Sequence, residues 1–369
     1  MIYKSFKELS LSRLGMGCMR LPAPEDKTGG NQIDWDEAHK LIRQAYDNGI
    51  NYFDTAYVYN SGESEKCLGA GVRHLDRSTF YIADKFYIGA NPDYKAVFEE
   101  QLERLQTDYI DFYLIHCILD NNVDTYLESG CIEYFLELKK QGKIRYLGFS
   151  SHSGLAALEK FADHHQWDFA QLQMNYFDWS YADTKREYEI LTERNIPVVV
   201  MEPVRGGRLA ALSEEADKIL KDFRPDWSVA SWAFRFLLGL PNVQVILSGM
   251  SNKDQVSDNL KTFSCEAALT KEEEEVLFKA CDAFHSEVRV PCTACRYCTE
   301  GCPAQIDIPA FLNIYNSFKL NGSGGIKNRI EKTESEGKPS DCIACGACTG
   351  HCPQGIDIPK AMKELAEVK

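Results

Sequence analysis

Residues 51–54 read NYFD, residues 80–85 FYIADK and residues 110–116 IDFYLIH. Each is a short run rich in aromatic and β-branched side chains, and each ends on a polar residue: Asp54, Lys85 and His116. Apolar runs of this length, separated by longer stretches of helical periodicity, read as buried strands. Five more of the same kind flank them: Leu14–Met19, Tyr146–Ser151, Phe169–Met174, Pro197–Glu202 and Val243–Ser248. Helical patterns lie between, such as Asp36–Asn48 with Ala38, Leu41, Ile42 and Ala45 on one face, and Leu155–His164 with Leu155, Leu158 and Ala162.

Eight strand–helix units within the first 285 residues fit an α/β fold, a (β/α)8 or TIM barrel closed by an outer ring of helices. The alternating segment Ile2–Ser12 reads as a hairpin across the barrel floor. A doubly wound open sheet uses the same alternation, but no Gly-x-Gly-x-x-Gly follows the first strand.

The 369-residue chain is 44% apolar and 26% charged, a globular composition. Its net charge of −14 is unfavourable for tracking a phosphate backbone, so nucleic acid is not expected as a partner. No run approaches the roughly 20 apolar residues of a membrane span, and Met1–Leu21 lacks the apolar core of a secretory signal. The expectation is a cytoplasmic protein that meets no membrane.

Six of the 14 cysteines (Cys18, Cys67, Cys117, Cys131, Cys265 and Cys281) are scattered singly and read as core residues. The other eight crowd into two blocks after Pro291, which places a boundary between a domain of residues 1–285 and one of residues 286–369. The smaller domain holds ten basic and ten acidic residues, so the whole negative balance belongs to the larger. The glycine-rich segment Asn321–Gly325 reads as a flexible loop between the blocks.

Chemistry in such a barrel sits at the carboxyl ends of its strands. Asp54, Lys85 and His116 end three consecutive strands, and Tyr59 follows Asp54 in the loop. The set suits carbonyl reduction. A carbonyl accepting hydride at carbon develops negative charge on oxygen and needs a proton donor within hydrogen-bond reach. Tyr59 can donate. A phenol of pKa about 10 is a slow acid at neutral pH, and the ammonium of Lys85 beside it favours the phenolate. Asp54 would hold the lysine, and His116 would orient the carbonyl.

The chain resembles the aldo-keto reductase family over residues 1 to about 262. The motifs that carry the resemblance are LGMGCMRLP at 14–22, GINYFDTAYVYNSGESEKCLG at 49–69, IADK at 82–85, DYIDFYLIH at 108–116, GKIRYLGFSSH at 142–152 and SGMSNKDQVSDN at 248–259. The resemblance implies a barrel that binds NADP or NAD without a Rossmann domain. It assigns Asp54, Tyr59, Lys85 and His116 to the catalytic tetrad. It gives Gly17, Cys18 and Met19 to the cofactor, and Ser150, Ser151 and Gln171 to the nicotinamide and its carboxamide. Met201, Pro203, Arg205, Gly206 and Gly207 fall to the pyrophosphate loop, and Ser251, Gln255, Asp258 and Asn259 to the adenosine end. Two positions depart from the family pattern. Gly249 and Gln255 stand where many members place a Lys and an Arg around a 2′-phosphate, leaving Lys253 or Arg205 to compensate. Cys117-Ile118 replaces a common Trp-Pro, so the family's substrate pocket does not transfer.

Cys292, Cys295, Cys298 and Cys302 run C-x2-C-x2-C-x3-C before Pro303, and Cys342, Cys345, Cys348 and Cys352 repeat the spacing before Pro353. The copies also share Ala294/Ala344, Thr299/Thr349 and the tetrapeptide IDIP, which marks an internal duplication. This run is the bacterial ferredoxin pattern, in which the fourth cysteine serves the other cluster. It assigns one 4Fe-4S cluster to Cys292, Cys295, Cys298 and Cys352, and a second to Cys342, Cys345, Cys348 and Cys302. Structural zinc would call for two C-x-x-C knuckles.

The resulting expectation is a nicotinamide-dependent carbonyl reductase or alcohol dehydrogenase fused to a ferredoxin-like two-cluster domain, similar to the iron-sulfur members of the aldo-keto reductase family. The alternatives are a redox sensor that binds dinucleotide without turnover, and a reductase whose clusters only brace the fold. The expected partners are a small carbonyl or alcohol and a flavoprotein or ferredoxin. A flavin-like mediator is invoked because a hydride carries two electrons and a cluster takes one.

Overall fold

The computed structural model describes residues 1–24, 32–265, 268–321, 323 and 325–368. Contacts divide these into two compact units. One holds the residues up to Pro203 together with Ser231–Thr270, and the other holds Val204–Ala230 with the chain from Lys271 onward.

The first unit is a closed parallel barrel. Its strands are β3 (Leu14–Gly17), β4 (Tyr52–Asp54), β5 (Tyr81–Phe86), β6 (Ile110–Ile118), β7 (Ile144–Ser151), β8 (Phe169–Gln173), β9 (Val198–Met201) and β10 (Val243–Ser248). They pair in chain order, and β10 closes on β3. All eight expected strands are present. β6 outruns its expected end at His116 by two residues and does so through an irregularity in register between Ile115 and Ile118.

Before the barrel comes the expected hairpin, β1 (Tyr3–Phe6) against β2 (Leu9–Ser12), turned at Lys7 with φ +51°. It is antiparallel, and its Phe6, Leu9 and Leu11 join Tyr52, Phe112, Tyr146, Phe169, Val199 and Val245 in one buried cluster that fills the barrel. Phe6 meets Tyr146 edge-on, with ring centroids 5.0 Å apart. Rings of this size leave no room beside them. A Cβ on Gly15 would stand 2.8 Å from Leu247 and Val245, and one on Gly148 2.5 Å from the Phe169 carbonyl.

The helix Trp35–Asp47 begins at Asp34, whose carboxylate accepts from Glu37 N at 3.1 Å, and it buries the expected face of Ala38, Leu41, Ile42 and Ala45. Helix Leu155–His164 buries Ala157, Leu158, Phe161 and Ala162. Leu155 is only half-buried, because the larger Phe161 stacks on Trp167 and sets the face.

In the second unit, helices Ile308–Asn321 and Ile358–Ala366 share a core built from Phe311, Leu312, Ile314, Ile358, Met362 and Leu365. The duplication is visible in how they start. Asp307 accepts from Ala310 N, and Asp357 from Lys360 N at 3.2 Å. The proline of each IDIP sits in the first turn, where a missing N–H costs nothing. Of the segment expected as a glycine-rich loop, Gly322 and Gly324 lie outside the described residues, while Gly325, at φ +72°, starts helix Ile326–Lys332. Among the described residues, no helix is long and apolar enough to cross a membrane.

Candidate functional site

Parallel pairing in register sets Asp54 opposite Ala83 and Lys85 opposite Leu114, so the ends of β4, β5 and β6 rise at one rim. There the Lys85 ammonium, fully buried, donates to Asp54 Oδ1 at 2.7 Å, to the Thr55 carbonyl and to Tyr59 OH at 3.4 Å. Burial by itself lowers the pKa of Lys85, but Asp54 and Tyr59 outweigh it and hold the group above its ordinary value. The lysine is therefore a charge placed against a phenol.

His116 lies edge-on to Tyr59 and to Tyr87, with ring centroids 5.9 and 5.8 Å away. Burial first, then the charge of Lys85 and the neighbouring His152, push its pKa well below the ordinary imidazole value. It is thus neutral at physiological pH, and its Nδ1 has no hydrogen-bond partner among the described residues. The four residues singled out at the strand ends converge.

What holds Tyr59 there is the GESE sequence after it. Asn60, Ser61 and Gly62 all take positive φ, and a Cβ on Gly62 would stand 2.6 Å from Arg104 Nη1. Arg104 reaches that spot because Glu65, buried in the following helix Glu63–Val72, binds its Nη1 at 2.6 Å. Gln101 donates to Glu65 at 3.0 Å and to the Lys85 carbonyl at 3.1 Å, which ties the Tyr59 loop to the lysine strand. Sequence reasoning did not single out Glu65, Gln101 or Arg104.

The next rim positions continue the site. Ser150 on β7 is paired with Gln171 on β8. Ser150 Oγ accepts from Cys117 N at 2.8 Å, and Ser151 Oγ shares a 2.9 Å bond with Ser153. Gln171 Oε1 is buried and has no hydrogen-bond partner among the described residues, so it is an acceptor that fits an incoming carboxamide N–H. Cys117 stands at φ +58° on the irregular part of β6, and burial pushes its thiol up to about 12, which makes it inert.

Of the other expected cofactor residues, Gly17 ends β3 and Met19 is half-buried, while the Cys18 side chain is wholly buried, its thiol donating to the Met16 carbonyl and its own carbonyl accepting from Ser64 Oγ. Ser251 N donates to Gln255 Oε1 at 2.7 Å, and Asn259 Nδ2 to Ser248 Oγ at 2.9 Å. Asp258 is half-buried on the same helix, Lys253–Thr262, which Asn252 caps. Arg20 is the cation that sequence reading missed here. Its carbonyl accepts from Ser251 Oγ, and its stem would lie 3.1–3.4 Å from a Cβ on Gly249, so a larger residue at 249 and Arg20 compete for one space. Its place within the LGMGCMRLP motif was the available signal. Met201 and Pro203 belong to this unit. Arg205, Gly206 and Gly207 belong to the second, where both glycines take positive φ, +65° and +97°.

In the second unit two cavities are lined by cysteines. One has Cys292, Cys295, Cys298 and Cys352 in its wall; the other has Cys342, Cys345, Cys348 and Cys302. Each cavity therefore takes three cysteines from one block and its fourth from the other. Among the described residues, no three His, Cys, Asp or Glu side chains stand close enough to hold a single ion. Four cysteines in the wall of one cavity, too far apart to share a single ion, fit a multinuclear iron-sulfur group instead. Burial raises the pKa of the Cys292, Cys298 and Cys348 thiols, a cost that iron held there would remove by taking the thiolate.

A closed parallel barrel with an acid, a phenol, a lysine and an imidazole at its rim, followed by a duplicated cysteine domain, defines a reductase barrel joined to a dicluster module. The chain belongs to the Aldo/keto reductase family, which residues 13–281 match, and residues 291–356 match the 4Fe-4S dicluster domain. It is similar to the uncharacterized oxidoreductase YqkF of Bacillus subtilis (strain 168), at 28% identity over 307 residues, 73% of this chain and 92% of that protein. A shorter segment is 36% identical to L-galactose dehydrogenase of Arabidopsis thaliana over 124 residues, 31% of this chain and 38% of that one. Among solved structures it is similar to the holo form of aldo-keto reductase AKR11C1 from Bacillus halodurans, with a TM-score of 0.63 and 27% identity over 76% of this chain and 96% of that one.

Proposed function

We propose that this oxidoreductase uses NADP or NAD to reduce an aldehyde or ketone, or to oxidise the corresponding alcohol, with Tyr59 as proton donor, and that its cysteines hold two 4Fe-4S clusters for one-electron transfer. The reading assigns residues 1–285 to the reductase and 286–369 to the clusters. The observation that carries it is the buried chain Asp54–Lys85–Tyr59, with neutral His116 edge-on to the phenol.

A nicotinamide held at this rim would supply hydride to the carbonyl carbon. Tyr59 gives its hydroxyl proton to the oxygen as charge develops there, and the Lys85 ammonium stabilises the phenolate left behind. Asp54 keeps the ammonium aimed. Neutral His116 offers an N–H to the carbonyl oxygen without taking the proton itself. In the reverse direction the phenolate accepts the alcohol proton.

Ser150, Ser151 and Gln171 would hold the carboxamide, and the unpartnered Gln171 Oε1 supports that role. Gly17, Cys18 and Met19 would contact the cofactor at the rim, with Cys18 limited to its backbone. Met201, Pro203, Arg205, Gly206 and Gly207 would follow the pyrophosphate, and Ser251, Gln255, Asp258 and Asn259 the adenosine. Arg20 or Lys253 would meet a 2′-phosphate. Each cluster takes the exchanged ligand set that its cavity presents. Partners would be a small carbonyl or alcohol and a flavoprotein or ferredoxin. Eight thiols that must stay reduced favour the cytoplasm.

The test is Tyr59→Phe, assayed by NAD(P)H oxidation against a panel of carbonyls. Loss of one oxyanion-side donor is typically worth about 100- to 1,000-fold in turnover, and dinucleotide affinity should persist. Turnover within about threefold of wild type would defeat the assignment, since that is far below the value of such a donor.

A further inference from the structure

The two cysteine cavities come from one duplicated sequence, yet their surroundings differ in charge. The cavity walled by Cys342, Cys345, Cys348 and Cys302 is otherwise lined by Gly, Ala, Pro, Ile and Met, with no charged side chain. Its cysteine loop is open to water: Cys345 is exposed, and Ile343 is 70% exposed.

The cavity at Cys292 has arginines around it. Arg296 lines it, with Asp307 at 3.3 Å as counter-charge. Two more come from far away in the chain. Arg205, 1% exposed, donates through Nη2 to the carbonyl of Pro291, the residue before Cys292, at 3.1 Å. Arg208 donates through Nη2 to Asn313 Oδ1 at 3.2 Å. Asn313 is one residue from Leu312, which lines the same cavity. Asn316, on that helix, fixes the approach to Cys292 by accepting from Arg289 N and Val290 N and donating to the Val290 carbonyl. Both guanidiniums, permanently charged, are thus anchored on groups next to residues that wall the Cys292 cavity.

Adding an electron to a cluster makes it more negative, so nearby fixed positive charge favours the reduced form, and more so where water screens it little. We propose that Arg205 and Arg208 raise the reduction potential of the cluster held by Cys292, Cys295, Cys298 and Cys352, and leave that of its duplicate untouched. One electron from a low-potential donor then resides preferentially at this cluster; no proton and no second electron is involved. The inference rests on the two-cluster reading above. It makes the two clusters of a duplicated domain unequal through a loop outside the duplication.

The experiment is an anaerobic dithionite titration of the full chain, followed by the paramagnetic signal of the reduced clusters, on wild type and on Arg208→Gln, Arg208→Lys and Asn313→Ala. Iron and labile sulfide are counted first on each sample; fewer than two clusters per chain in the wild type sinks the reading itself. With both present, Arg208→Gln should lower one of the two midpoints by at least about tenfold in the reduction equilibrium, about 59 mV for a one-electron couple. The other midpoint should stay. Arg208→Lys and Asn313→Ala keep the charge and should stay near wild type. If Arg208→Gln fails to load clusters, Arg208→Met serves as a second neutral variant. Midpoints that do not move, that move together, or that shift equally in Asn313→Ala would overturn the proposal.

Discussion

Replacing Lys85 by Met removes one partner of a fully buried ion pair and leaves Asp54, 3% exposed, with a carboxylate that nothing neutralises. Breaking a buried pair in this way typically costs about 3–5 kcal/mol. The variant has an escape, because Asp54 can take up a proton. Burial already pushes its carboxyl up, and Lys85 is the main opposing influence. Without the lysine, the folded-state pKa rises further above the unfolded value of about 3.9. A group whose folded pKa is raised contributes its stability below the unfolded pKa and loses it as pH climbs through the folded one. The Lys85→Met penalty should therefore be small near pH 4 and grow through pH 7. One proton over two pH units amounts to at most about 2.7 kcal/mol. The readout is the urea midpoint of the barrel transition at pH 5 and pH 7, each taken relative to wild type at the same pH. That reference matters because His152, its pKa pushed down to about 4 mainly by burial, destabilises the wild type itself as pH falls below about 6.5. Adding Asp54→Asn should restore most of the stability and none of the activity. A Lys85→Met penalty equal at both pH values, or unrelieved by Asp54→Asn, would refute the reasoning.

Three further outcomes are expected. His116 is held neutral by burial and by Lys85, so kcat/KM should show no limb near pH 6.5 that disappears in His116→Asn; finding one would mean that the imidazole carries the proton. Anaerobic protein should contain about eight iron atoms and eight labile sulfides, and Cys352→Ala should damage the cluster of Cys292 rather than that of its own sequence block; stoichiometric zinc without sulfide would contradict this. Flavin-free protein mixed with NADH or NADPH and no carbonyl should keep its clusters oxidised, and complete bleaching within a few turnovers would show a direct path.

The barrel was legible because parallel strands buried on both faces leave continuous apolar runs, and because a polar side chain ends each of three of them. The grouping of three cysteines from one block with one from the other around each cavity was legible too, since a duplication with fixed spacing allows few geometries. What the sequence concealed depends on residues far apart. Glu65 looks like one more helix-face acid until Arg104, 39 residues on, is seen to lock the turn after Tyr59. The run of β6 through Cys117 at positive φ leaves no mark in an apolar strand. Arg205 reads as a pyrophosphate contact, and nothing in the sequence shows that its Nη2 also donates to the Pro291 carbonyl, 86 residues away. The first and last are long-range polar contacts and the second is a local backbone irregularity, and periodicity carries no information about either.

On the reading proposed above, the loop from Val204 to Ala210 would bear on both the dinucleotide and a cluster. Its glycines have the backbone freedom that a close approach to pyrophosphate requires, and its arginines bear on the cysteine side. A hydride carries two electrons at once while a 4Fe-4S cluster accepts one, so a direct exchange would pass through a nicotinamide radical, which is a costly intermediate. A shared loop does not remove that barrier, because it conducts no electrons. What it can transmit is charge: an anionic pyrophosphate on Gly206 and Gly207 would partly offset the positive field that Arg205 and Arg208 set at Cys292. By linkage, reduction of that cluster would weaken dinucleotide binding by the same factor that the dinucleotide weakens reduction. Coupling of this kind would need no electron to cross between dinucleotide and cluster, and on the reading proposed above it would give the chain a reason to carry clusters whose electrons cannot move as hydride.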